Sequence, residues 1–107
     1  MGGSPFDKDG LDTYQLTGWG ENVKLTQLNF VIDEGDAKHV KLEVYDRPFS
    51  TDAKLLHTEV LDTRSWRTYD PPIELRGSLL GRMYLRLIAT DGVKQNHCKC
   101  VFLGAPL

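Results

Sequence analysis

His39-Val40-Lys41-Leu42-Glu43-Val44 decides the fold, because apolar and polar side chains alternate there at every step. Successive side chains of an extended strand point to opposite faces. Val40, Leu42 and Val44 then share one face, with His39, Lys41 and Glu43 on the other. Met83, Leu85, Leu87 and Ala89 repeat the pattern against Arg82, Tyr84 and Arg86. Cys98, Cys100 and Phe102 repeat it against His97 and Lys99. Each segment predicts a strand with one dry and one wet face, as antiparallel sheets have. No stretch of 11 or more residues keeps a helical period.

Outward from these segments, turn-forming residues recur at short intervals: Asp9-Gly10, Gly18-Trp19-Gly20, Glu34-Gly35-Asp36, Arg47-Pro48-Phe49-Ser50, Pro71-Pro72, Arg76-Gly77-Ser78 and Asp91-Gly92. They leave strands expected over 12–17, 22–32, 38–45, 54–61, 66–69 with 73–75, 82–90 and 97–103. Strands at this spacing predict an all-β protein, an antiparallel β-sandwich or barrel. Prolines cannot donate ladder hydrogen bonds, so Trp66 to Leu75 is expected to be an edge strand or broken by a bulge. Gly77 to Gly81 has room for one short helical turn. The expected core is Val40, Leu42, Val44, Val60, Leu85, Leu87, Cys100 and Phe102. With no repeat, low-complexity tract or linker, residues 11–107 read as a single domain. Residues 1–10 read as a flexible start or tag remnant, since Met1-Gly2-Gly3-Ser4 lacks the charged and apolar regions of a secretory signal.

The chain of 107 residues is 40% hydrophobic and 26% charged, which suits one packed core and argues against disorder. Its formal charge is −2 and its basic residues are scattered, so the basic stripe of a nucleic-acid binder is missing. No apolar run approaches the ~20 residues of a membrane-spanning helix. Cys98 and Cys100 fall on one face of a strand, where neighbouring side chains lack disulfide geometry. They read as small core residues rather than as metal ligands.

Catalytic chemistry finds little support. His39, His57 and His97 all lie on expected strands, and none neighbours a serine in a nucleophile elbow. Asp33, Glu34 and Asp36 crowd one turn. There they either solvate it or offer carboxylates and carbonyls to a structural calcium ion. Gly18-Trp19-Gly20 is too short to cradle a phosphate, and its indole either caps the core or stacks on a ligand. Tyr45, Trp66, Tyr69 and Asn96 form the group best suited to recognition. Flat aromatic rings pack against the C–H faces of sugars while amides bond their hydroxyls. For Trp66 the alternative is a place in the core.

From Trp19 onward the segment order resembles the galactose-binding-like jelly rolls, which include discoidin, Doc and SUN domains and family 6 carbohydrate-binding modules. The resemblance is carried by Asn22 to Phe30 before an acidic turn, by HVKLEVYD at 39–46, and by Leu56 to Leu75 with its aromatic and Pro-Ile elements. Tyr84 to Ile88 and Cys98 to Gly104 complete it. It implies a jelly-roll sandwich that binds through loops at one end. In family 6 modules an aromatic from a Gly-Gly-Trp segment and an Asn before the last strand help build the cleft. Thr63-Arg64-Ser65-Trp66 is similar to the first with its glycines replaced, and the loop ending in Asn96 is similar to the second. A further aromatic of the cleft falls on Trp19 or Tyr14. Those families carry an additional amino-terminal strand, which here is absent, short or supplied by a partner. Some hold a structural calcium. The expected ligand site is thus Trp19, Tyr45, Trp66, Tyr69 and Asn96, with carbohydrate the first ligand class. The Doc and SUN likeness implies instead a protein partner, met by Arg47 and Phe49 in the 46–53 loop. A third reading is self-association into a homodimer through an exposed edge strand.

Overall fold

Val40, Leu42 and Val44 are shielded from solvent while His39 and Lys41 face it, as their alternation requires; Glu43, expected on the same wet face, is buried. A computed structural model describes residues 4–6, 13–16, 22–47, 52–77 and 83–107 of the chain. All regular structure among them is strand: β1 (Ser4–Phe6), β2 (Thr13–Leu16), β3 (Asn22–Glu34), β4 (His39–Tyr45), β5 (Leu55–Asp62), β6 (Arg64–Arg76), β7 (Met83–Ala89) and β8 (Asn96–Pro106). No helix among the described residues is long and apolar enough to cross a membrane. The turn expected over Gly77 to Gly81 lies largely outside the described residues.

The strands form two four-stranded antiparallel sheets, ordered β1-β8-β3-β6 and β2-β7-β4-β5. The pairing is nested: first with last, second with seventh, third with sixth and fourth with fifth. One apolar cluster joins the inner faces of both sheets. Val23, Leu25, Leu28, Phe30, Leu75, Cys98 and Cys100 come from the first sheet, and Val40, Leu42, Val44, Leu61, Met83, Leu85, Leu87 and Ala89 from the second. The result is a sandwich-like fold. Each fully buried Leu contributes roughly 1.5–3 kcal/mol of transfer free energy. Both cysteines are buried as core residues and are not joined in a disulfide. Burial pushes the Cys100 thiol well above its ordinary pKa.

Three features depart from the sequence reading. Ser4–Phe6, inside the segment expected to be a loose start, forms a short edge strand on β8 with Ser4 opposite Cys98. Val60, expected in the core, is 56% exposed, and Leu61 takes the inner position opposite Val40. Phe102 packs against the core but is only partly buried. The proline pair behaves as expected, because β6 is an edge strand and its ladder with β3 jumps from Leu25–Ile73 to Gln27–Thr68. Tyr69 to Pro72 bulge out of that ladder, with a cis bond between Asp70 and Pro71.

Candidate functional site

At one end of the sandwich the β3–β4 turn locks onto the β7–β8 loop. Asn96 is 1% exposed, and its amide bridges the two segments. The Ala37 N–H donates to its Oδ1 at 3.0 Å, and its Nδ2 donates to the Lys94 carbonyl at 3.1 Å. Gly35 passes directly over it with φ +120°, and a Cβ there would lie 2.1 Å from Asn96 Oδ1. Only glycine fits this position. Asp36 accepts the N–H groups of Lys94 (2.9 Å) and Val93 (3.1 Å), which hold its carboxyl below the usual range. Asp91 bonds His39 Nδ1 at 3.0 Å and accepts the N–H of Lys38 at 2.7 Å, and its pKa is lowered for these reasons in that order. The acids of this turn diverge to separate partners: Asp36 to backbone, and Glu34 to His97 at 3.4 Å. Among the described residues no group of three His, Cys, Asp or Glu is placed to hold a metal ion.

A second polar group closes the side of the sandwich where β5 and β6 meet. The chain passes from one sheet to the other through Thr63, whose carbonyl accepts the Ile32 N–H at 2.8 Å. His57 and Glu59 lie opposite Val44 and Leu42, so they occupy the inner face of β5. Tyr69 donates to Glu59 Oε1, which stands 3.4 Å from His57 Nε2, and Arg67 Nε is 3.7 Å from Glu59 Oε2. The His57 and Tyr69 rings meet edge to face at 6.2 Å. Partial burial works to raise the Glu59 pKa, but the neighbouring His57 and the hydrogen bond from Tyr69 outweigh it and the net shift is downward. Burial first, then the bond to Glu59, pushes the Tyr69 hydroxyl far up. Both shifts hold the proton on Tyr69 and off Glu59. The Tyr69–Glu59 contact joins β6 of one sheet to β5 of the other, as a clasp between them.

The third region is the outer face of the β1-β8-β3-β6 sheet. On β6, Ser65 lies opposite Phe30 and takes the inner position, so Trp66 is turned outward and is 72% exposed. The register lays out three cross-strand rows. Val101, Asn29 and Trp66 form the middle row. Leu103, Gln27 and Thr68 form the row to one side, and Lys99, Val31 and Arg64 the row to the other. Val101 and Leu103 are 49% and 46% exposed. Asn29, Val31, Arg64, Trp66, Lys99 and Val101 line an open depression of about 350 Å³. Asn29 Oδ1 is buried there and has no hydrogen-bond partner among the described residues. An unpaired buried carbonyl costs roughly 1–3 kcal/mol.

The residues expected to form one ligand site are dispersed. Trp66 lies on one outer face. Tyr45 follows the inward-facing Val44 and lies at the end of β4, opposite Tyr84, on the outer side of the other sheet. Its hydroxyl is pushed up by burial and then by Glu43. Tyr69 packs against the core and serves the clasp. Asn96 is committed to the loop lock rather than to the surface, so the loop-end cleft implied by the resemblance is not assembled from these residues. Trp19 and Phe49 lie outside the described residues. Arg47 bonds Asp46 at 3.2 Å and Asp52 at 3.1 Å, which makes it a brace of its own loop. Asp46 also accepts the Lys54 N–H at 2.8 Å. The residues sequence reasoning missed are Gln27, Asn29, Val31, Arg64 and Lys99, which meet Trp66 only through strand register. No protein-family model, curated protein or solved structure matches the chain.

Proposed function

We propose that this chain is a non-catalytic, jelly-roll binding domain that recognises carbohydrate on the outer face of its β1-β8-β3-β6 sheet. The nested strand pairing supports the jelly-roll reading, because a hairpin folded back and wound round a core pairs first with last and fourth with fifth. One observation carries the functional reading: an exposed indole stands beside the Asn29 amide oxygen, which has no hydrogen-bond partner among the described residues. Leaving Trp66 in water forgoes the stabilisation that its burial would bring. A pyranose ring stacked on the indole recovers part of it, while Asn29 and Gln27 meet the ring's hydroxyls. The ligand face is therefore the sheet surface and not the loop end.

Tryptophan emission tests this reading. In a Trp19→Phe variant the remaining indole is Trp66, and titration with an oligosaccharide mixture should quench and blue-shift its emission. Trp66→Ala should weaken binding at least about tenfold, or 1.4 kcal/mol, with an unchanged fold. Equal affinity of the parent and Trp66→Ala would end the proposal.

A further inference from the structure

The row beside Trp66 adds a charge requirement to this face. Arg64 and Lys99 both lie opposite Val31, one on each neighbouring strand, and both are exposed. Adjacent strands are about 4.8 Å apart, so the two backbones flank Val31 across about 10 Å. Long side chains from such positions can meet one anion between them. Neither cation has an ion-pair partner among the described residues. The other described arginines do have company. Arg47 is paired with Asp46 and Asp52, Arg67 with Glu59 and Arg76 with Glu74, and Arg86 sits with Glu43 and Tyr45. Arg64 has no carboxylate partner among the described residues. The positive charge stands on a chain whose formal net charge is −2, so it is local and not a consequence of overall composition.

We propose that the ligand is an anionic saccharide, whose ring packs on Trp66 while a carboxylate or sulfate oxygen is bound by Arg64 and Lys99. The inference rests on the reading of the Trp66 face as a carbohydrate site and specifies its substrate class. Along each strand the cationic row lies two residues from the indole row, about 7 Å away. That spacing matches the reach from a stacked ring to an acidic substituent on the same or the next residue. Arg64 offers a planar fork for a carboxylate or sulfate, and Lys99 adds a point charge. Val31 between them excludes some water and strengthens both contacts. Two cations in one row fit a single acidic group. A nucleic-acid strand would call for a longer line of phosphate contacts.

Calorimetric titration of the full chain with three probes tests this: oligogalacturonate, a sulfated glycosaminoglycan fragment, and a neutral galactan oligosaccharide of equal length. One or both anionic probes should bind at least about tenfold more tightly than the neutral one, and the difference should shrink as salt is raised. Which anionic probe is preferred distinguishes carboxylate from sulfate. Arg64→Met and Lys99→Met, both at exposed positions, should each lower anionic affinity by about tenfold, the scale of one charge-assisted hydrogen bond. They should lower neutral affinity less than anionic affinity and leave the melting temperature unchanged. Trp66→Ala should weaken every probe. If the neutral probe binds as tightly as the acidic ones, the charge assignment fails while the carbohydrate reading stands. If no saccharide binds, both fail. Binding of a polyglutamate peptide or a single-stranded oligonucleotide in preference to all three sugars also overturns the proposal.

Discussion

Replacing Asn96 by Ala separates a structural role from a ligand-binding one. The side chain is buried and makes two hydrogen bonds that join the β3–β4 turn to the β7–β8 loop. Ala would leave the N–H of Ala37, itself only 2% exposed, without its partner. A stranded buried donor costs about 1–3 kcal/mol, and losing the bond to the Lys94 carbonyl adds about 1 kcal/mol. The expected loss is therefore roughly 2–4 kcal/mol, a large share of the 5–15 kcal/mol typical of a domain. For a chain of this size that lowers the melting temperature by roughly 10–20 °C. Urea denaturation gives the free energy and differential scanning calorimetry the melting point. Saccharide affinity, measured where the variant is still folded, should match that of the parent. A loss below about 1 kcal/mol refutes the reasoning, as does an unchanged midpoint accompanied by lost binding.

Other predictions follow from the same geometry. Glu59→Gln should cost about 1 kcal/mol near neutral pH, because the attraction to His57 and Arg67 is lost while an acceptor for Tyr69 remains. The folded-state pKa of Glu59 lies below its ordinary value, so its contribution is present above that value and fades as pH falls through the folded one. The gap between parent and variant in urea midpoints should therefore narrow from about pH 7 to about pH 3. Leu61→Ala should destabilise by about 2–5 kcal/mol and Val60→Ala by less than about 0.5 kcal/mol, a contrast that chemical denaturation reads directly. Cys98 and Cys100 should resist a thiol-specific reagent in the folded protein and react together once it unfolds, since both are buried and the Cys100 thiol is held protonated.

The fold was legible where a strand lies inside its sheet with a uniformly apolar inner face. β4 and β7 have neighbours on both sides, and their period-two pattern fixes which residues point inward. Legibility failed at the edges. The inner face of β5 carries His57 and Glu59 for the clasp, so its polar residues take the core phase and Val60 is displaced outward. β1, at three residues, is too short to show any alternation. Asn96 was recoverable: it stands two residues before Cys98 and four before Cys100, in the phase that period two assigns to the core. Trp66 was not, because its phase is set by Ser65 opposite Phe30 on another strand, a long-range register that the local sequence does not contain. The three-strand layout around Asn29 depends on the same register.

A two-dimensional amide NMR titration with a bound oligosaccharide tests the placement of the ligand most directly. Perturbations should converge on the Trp66 indole N–H, the side-chain amides of Asn29 and Gln27, and the backbone of Val31, Arg64, Lys99 and Val101. Shifts concentrated instead on the 91–97 loop, or around Tyr45 on the opposite sheet, would contradict it.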